Sequence, residues 1–328
     1  MILVTGANGF VGRALCAALV SSGQTVVAAM RHALSATGLH FANFQISTLA
    51  ADADWQGGLQ GCDAVVHLAA RVHVMADTAT DPLTEFRRVN VEGTLNLARQ
   101  AVTAGCAALS LSARSRSMGR AHSPPHPGPL PTGAREVFRA DDGADPQDPY
   151  SISKHEAELG LRRLATESGM EVVIIRPPLV YGPGVKANFQ SMMCWLKRGV
   201  PLPLGAIHNK RSLVVLDNLV DLIITCLDHP AAANQTFLVS DGEDLSTTEL
   251  LQRMGLALGR PARLIPVPTL LLQAGAAILG RGDMAQRLCG SLQVEITKAR
   301  TLLGWTPPIS VDEGLRRTAQ GFLHETIL

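Results

Sequence analysis

The first five residues, MILVT, form an unbroken apolar run, and glycines follow at once. FVGRALCAALVSSG (10–23) then carries apolar residues at helical spacing and stops at Gly23. The pattern predicts a strand, a glycine turn and a helix. QTVVAAMR, the weaker ANFQIS, and DAVVHLAA predict three further strands. TEFRRVNVEGTLNLARQAVTAG (84–105) reads as one long helix, and the helical SKHEAELGLRRLATESG leads into the strand EVVIIRP. The strands are continuously apolar rather than alternating, as strands are when both faces of a sheet are covered. Strand and helix in alternation predict an α/β chain with a parallel, doubly wound sheet.

After Pro177 the alternation weakens. NFQSMMCWLKRG and DNLVDLIITCLDH predict helices, and SLVVL and TFLVS predict short strands. STTELLQRMGLALG opens on Ser246 with Glu249 three residues later, the signature of a capped helix start. The C-terminal part is therefore expected to be smaller and mixed. Its longest apolar stretch, LIPVPTLLLQAGAAIL (264–279), is broken by two prolines and is too short to span a bilayer. It reads as a core or interface helix, with peripheral membrane contact as the alternative.

Composition narrows the function. Apolar residues make up 46% of the 328, charged residues 17%, and the net charge is +1. A sizeable core is available, and nothing points to a nucleic-acid partner. The six cysteines have neither metal nor redox spacing, which fits a reducing cytoplasm. The apolar run starts at the first residues with no charged leader, so no signal peptide is expected. His67 and His73 flank one loop without a third ligand at metal spacing, so no metal is expected. His122 and His126 read as solvated.

The candidate chemistry begins with VTGANGFVG. Gly6, Gly9 and Gly12, with Phe10 among them, lie between the first strand and the first helix. Such a loop turns tightly, lets backbone approach a pyrophosphate, and delivers the anion to a helix N-terminus. The second strand ends at Met30-Arg31, where an acidic residue would hold a ribose hydroxyl. Arg31 instead favours a 2′-phosphate, stacking on adenine being the alternative. In YSISK, Tyr150 and Lys154 share one face of a helix. An ammonium beside a phenol stabilises the phenolate, so the tyrosine can move a proton while a nicotinamide carries hydride. Ser151 and Ser153 read as helix-start residues.

Taken together, VTGANGFVG, VVHLAA, VNVEGT, DPYSISK, RPPLVYGPG, LDNLVDLI and LGWTPP resemble the extended short-chain dehydrogenases/reductases of the NAD-dependent epimerase/dehydratase family. Within it the chain is similar to UDP-glucose 4-epimerase-like proteins and UDP-sugar 4-keto reductases of surface-polysaccharide synthesis. The resemblance implies a Rossmann domain over residues 1–180 plus parts of about 210–240. It implies a sugar-nucleotide domain over 181–328, the chain crossing back between them. It also implies bound NAD or NADP, a nucleotide-sugar substrate and pairing of two copies. Tyr150 matches the acid/base and Lys154 the ribose-binding lysine. Leu68, Ala69, Ala70, Asn90, Pro177 and Leu179 match cofactor-side positions. Asn188, Arg211 and, more weakly, Arg287 match contacts to the substrate diphosphate.

One stretch departs from the family. AALSLSARSRSMGRAHSPPHPGPLPTGARE (107–136) crowds arginines and prolines where a strand should end in paired serines or Ser-Thr. Arg114 stands near the place of the serine that donates to the reacting oxygen, and arginine cannot take that role. Codons permitted for Ala107 to Gly119, read with a C as the base preceding them, encode R-R-L-V-S-L-S-S-I-K-V-N-G. That reading restores the serines and suggests a frameshift undone near Glu136. It places Ile-Lys where a dehydratase has Asp-Glu, favouring epimerase or reductase. As written, an impaired enzyme or a non-catalytic dinucleotide binder is the alternative.

Overall fold

The computed structural model describes residues 1–31, 41–72, 81–112, 137–143, 146, 148–278, 280, 282 and 288–325. The chain opens with β1 (Ile2–Thr5), α1 (Phe10–Ser21), β2 (Val26–Met30), β3 (Ala42–Gln45), α2 (Gln56–Leu59) and β4 (Ala64–His67). Next come α3 (Pro82–Arg87), α4 (Gly93–Thr103), β5 (Ala108–Ser112), β6 (Val137–Phe138), α5 (Pro149–Ser168) and β7 (Glu171–Arg176). Together with β10 (Thr236–Leu238), these build a parallel sheet in the order β10-β7-β5-β4-β1-β2-β3. The order turns around at β1, so the crevice beyond its carboxyl end is where an open α/β sheet takes a ligand.

Both sheet faces are covered, as the continuous apolar strands require. Val4, Ala28 and Val66 enter one cluster with Leu15 and Leu19 of α1. Leu219 and Ile223 of α7 (Leu216–Asp228) complete that layer. Leu3, Val27 and Val65 enter the other cluster with Leu97 and Ala101 of α4 and Leu161 of α5. The altered stretch still supplies its strand: β5 lies between β4 and β7, with Leu109 and Leu111 fully buried. Ser110 is buried as well. Arg114 and the remainder of that stretch to residue 136 lie outside the described residues, as do His73, His122 and His126.

The helix expected over 84–105 is modified. Between α3 and α4 the chain makes a π turn, Arg88–Glu92. Its one-residue bulge sets Asn90 inward, and Asn90 is buried.

The smaller part contains β8 (Leu179–Tyr181), β9 (Arg211–Val215) and β11 (Asp244–Leu245), a three-stranded mixed sheet. Around it pack α6 (Ala187–Arg198), α8 (Thr247–Ala257) and α11 (Val311–Glu325), sharing a core of Tyr181, Phe189, Leu213, Leu251 and Leu315. The expected helix start at Ser246 is a capping box. The Glu249 amide donates to Ser246 Oγ at 3.0 Å, and the Ser246 amide donates to Glu249 Oε2 at 2.7 Å. β12 (Gln293–Val294) pairs with β6, and α10 (Thr297–Leu303) follows. The apolar stretch after Leu264 does not enter the core. It forms α9 (Thr269–Ile278), in which no residue is buried. No described helix is long and apolar enough to cross a membrane.

Candidate active site

The glycine turn lies directly beyond β1. Gly6 has φ +67°, and a Cβ there would stand 3.0 Å from the Ala69 amide nitrogen. A Cβ on Gly12 would fall 2.1 Å from the Gly6 carbonyl oxygen and 2.8 Å from Ala7 Cα. The close approach of α1 to β1 therefore excludes any side chain at that position. Gly9 is the N-cap of α1 and supplies no side-chain cap, so the first-turn amides keep their capacity for an anion. The residues present fit a dinucleotide diphosphate. Phe10, the first residue of α1, packs on the sheet core. Arg31 stands exposed just past β2, its carbonyl accepting from Gln45 Nε2 at 3.2 Å.

The turn Leu68–Ala70 follows β4, and a buried chain of hydrogen bonds holds it. The Ala69 amide donates to Thr5 Oγ1 at 3.2 Å. Thr5 Oγ1 lies 2.7 Å from His67 Nδ1, and His67 Nε2 lies 3.0 Å from Thr94 Oγ1. Burial, with the nearby Lys154 charge, lowers the His67 pKa to about 3. The neutral ring donates through one nitrogen and accepts through the other. His67 thus ties β1, β4 and α4 together beside the glycine turn.

Tyr150 and Lys154 stand in the first turns of α5. Asp148 caps the helix, accepting from the Ser151 amide at 3.0 Å and from Ser151 Oγ at 2.6 Å, and Pro149 occupies the first turn. Tyr150 is buried and meets the Phe86 ring edge-on at 5.9 Å between centroids. Lys154 is 1% exposed, and desolvation lowers its pKa to about 8 against the opposing pull of Glu158. Glu158 makes a bidentate, buried ion pair with Arg176 at 2.5 and 3.2 Å. Asn90 joins this helix to the turn: its side-chain oxygen accepts from the Arg71 amide at 2.8 Å, and Nδ2 donates to the Arg71 carbonyl at 3.1 Å and to Ser153 Oγ at 3.0 Å. Ser153 Oγ in turn donates to the Tyr150 carbonyl at 2.7 Å. Ser153 is therefore a bridge rather than only a helix-start residue.

The elements just described match known proteins over nearly the whole chain. The sequence pattern of the NAD dependent epimerase/dehydratase family fits residues 2–240. A UDP-glucose 4-epimerase of Vibrio cholerae is 45% identical, over 98% of this chain and 95% of its own length. The chain belongs to the NAD dependent epimerase/dehydratase family. A more distant relative, the 2-alkyl-3-oxoalkanoate reductase of Stenotrophomonas maltophilia, is 30% identical over 96% of this chain and 97% of its own. Among solved structures, the UDP-glucose 4-epimerase of Thermotoga maritima with UDP-glucose superposes with a TM-score of 0.75. It covers 100% of this chain and 99% of its own at 20% identity, a likeness of fold.

Of the positions named from sequence for the cofactor, Gly6, Ala69 and Pro177 come just after β1, β4 and β7 of the same parallel sheet. Gly6 and Ala69 touch, Asn90 joins Arg71 to α5, and Pro177 is buried immediately beyond β7. Leu179 opens β8 and is 37% exposed. Of the positions named for the substrate, Asn188 is exposed at the start of α6, beside Ala187 with its positive φ of 59°. Arg211 opens β9. Arg287 lies outside the described residues. Sequence reasoning missed Thr5, Thr94, Phe86, Glu158 and Arg176. Each is polar or aromatic at an apolar-looking position, and only tertiary contact gives it meaning. His67 carried a visible signal, a histidine closing an otherwise apolar strand.

Proposed function

We propose that the protein is an NAD(P)-dependent nucleotide-sugar 4-epimerase acting on a UDP-hexose or UDP-N-acetylhexosamine in surface-polysaccharide synthesis. The observation carrying this reading is the buried pair Tyr150 and Lys154 on a helix braced to the cofactor-side turn through Ser153 and Asn90. The 45% identical relative of Vibrio cholerae, a UDP-glucose 4-epimerase, supports the substrate class. The glycine turn and the α1 N-terminus hold the dinucleotide diphosphate. Tyr150 removes the proton of the sugar C4 hydroxyl and later returns one to the C4 oxygen. Lys154, as an ammonium, stabilises the phenolate and holds the ribose. When bound, the nicotinamide supplies hydride chemistry at C4. Asn188 and Arg211 contact the substrate diphosphate. Residues 1–180, with the segment that returns through α7 and β10, form the cofactor half, and the rest forms the sugar-nucleotide half. Two copies pair beside α5, where Leu159 is 53% exposed. Six free cysteines suit residence in the cytoplasm.

A second reading, a 4-keto reductase, draws on Arg31 at the end of β2 and on the reductase of Stenotrophomonas maltophilia. Incubation with UDP-sugars while NADPH is followed separates the two. Interconversion without net consumption identifies the epimerase, and stoichiometric consumption the reductase. Arg31→Asp is expected to weaken NADPH binding far more than NADH binding if the guanidinium meets a 2′-phosphate. Equal loss of both assigns it to stacking or solvent.

A further inference from the structure

The helix α9 is built the wrong way round for a helix of a solvated surface. It has no charged residue and no buried one. At 100° per residue, Leu270, Leu271, Ala274, Ala277 and Ile278 share one face. That face points outward: Leu270 is 79%, Leu271 64% and Ile278 86% exposed. Leu272, on the opposite side, packs against the core of the smaller part and fixes the helix in this orientation. The apolar surface continues beyond the helix. Ile265, in the segment leading into it, is 50% exposed. That segment bonds to residues 202 and 205, and the Val200 amide bonds to the Trp195 carbonyl. Val200 and Trp195 are 41% and 38% exposed.

Charge on the same two segments is one-sided. The chain as a whole is balanced, with 29 basic and 28 acidic residues. Yet no carboxylate occurs between Glu171 and Asp217, or between Glu249 and Asp283. Arg198, Arg260 and Arg263 are exposed on these two segments, and the Lys197 ammonium lies over the Phe322 ring at 5.6 Å. Arg260 Nη1 donates to the Lys197 carbonyl at 2.6 Å, so the two basic segments are joined. Arg253, seven residues before Arg260, pairs instead with Glu243 and Asp312.

We propose that this face docks the enzyme on an anionic phospholipid bilayer. The outward leucines and isoleucines enter the headgroup–acyl boundary, and the flanking cations meet lipid phosphates. A helix of ten residues is about 15 Å long, too short to span, and suits a position flat in the interface. The basic rim matches a negatively charged leaflet, and Trp195 sits at the edge where amphipathic aromatics settle.

The test is co-sedimentation of the full chain with vesicles of phosphatidylglycerol and phosphatidylethanolamine, against vesicles of phosphatidylcholine alone. Binding to the anionic vesicles is expected, weakening at about 1 M salt, where the screening length falls to about 3 Å. The double variant L270E/L271E is expected to reduce the bound fraction roughly tenfold. Both leucines are largely exposed, so its circular dichroism and melting should match the parent. Arg263→Glu should weaken binding to anionic vesicles only. The proposal is overturned by no binding to anionic vesicles, by equal binding to both compositions, or by unchanged binding of the double variant. It is equally overturned if sedimentation velocity shows the parent to be an oligomer that L270E/L271E dissociates, since the face then serves a second copy.

Discussion

Tyr150 and Lys154 set the pH behaviour of the site. Desolvation holds Lys154 at about 8, so its ammonium is present below that pH and is lost as pH rises through it. On the reading that this charge stabilises the Tyr150 phenolate, kcat/KM should fall along a descending limb near pH 8. Tyr150→Phe should lower turnover by about 10²- to 10⁴-fold while leaving dinucleotide affinity nearly unchanged. An alkaline plateau extending well past pH 9 in the parent would dissociate Lys154 from the reaction. A second residue-scale question is Arg114, which lies outside the described residues and occupies, in the sequence pattern, the position expected of a serine donor. Gly6, Gly9, Gly12 and Lys154 are unaffected by the departure, and β5 keeps its place in the sheet. The chain is therefore expected to bind dinucleotide and turn over slowly. Replacing residues 107–119 by the restored reading should raise turnover about 10²- to 10³-fold, the usual worth of a positioned donor, at similar dinucleotide affinity. Equal turnover in both proteins would show the serine to be dispensable or elsewhere. The nucleotide sequence of the gene decides the frameshift directly.

At the scale of elements, the contact of α1 with β1 is the most demanding joint. The hypothetical Cβ on Gly12 overlaps the Gly6 carbonyl, a backbone atom that no rotamer change can move aside. Gly12→Ala must push α1 off the sheet or shift the turn, and overpacking of this kind costs about 1–3 kcal/mol. A lowered melting temperature and severely weakened dinucleotide binding are expected together. A variant that binds NAD(P) normally would mean that the turn is not the diphosphate cradle. The periodicity of α1, α6, α7 and α8 was legible because each buries one face. The break between α3 and α4 was not: residues 84–105 have sound helical spacing, and the π turn arises where Asn90 reaches Arg71 and Ser153. The helix α11 also escaped, although its polar sequence buries Leu315 and Phe322 against the smaller part.

Across the whole molecule, stability in acid should reflect His67. Its folded value of about 3 lies below the ordinary 6.5. Between these values the unfolded chain binds the extra proton, so stability rises with pH and is lost as pH falls from about 6.5 toward 3. The full effect is on the order of 5 kcal/mol. Asp241, raised to about 6 by burial against the lowering pull of hydrogen bonds from the Val215 amide, Asn218 and Tyr181, acts in the opposite sense between about 4 and 6. The informative quantity is therefore the difference between parent and His67→Asn in urea unfolding at pH 7.5 and 5. The variant should lose less stability on acidification than the parent. Identical pH dependence in both would mean that His67 already titrates normally in the folded protein.

The amino-acid sequence by itself determined the parallel α/β architecture, the glycine turn, the Tyr150–Lys154 spacing and the family. All of these are local: they follow from continuous apolar runs, from glycines within seven positions, and from two residues one helical turn apart. Tertiary structure alone decided the rest. The Thr5–His67–Thr94 chain, the Asn90 bridge and the Glu158–Arg176 pair join residues 18 to 63 positions apart. Burial, which turns an ordinary histidine or lysine into a shifted one, is a property of those neighbours. The outward face of α9 was decided in the same way. Its sequence is as apolar as a core helix, and only packing of the smaller part through Leu272 left the leucines on the outside.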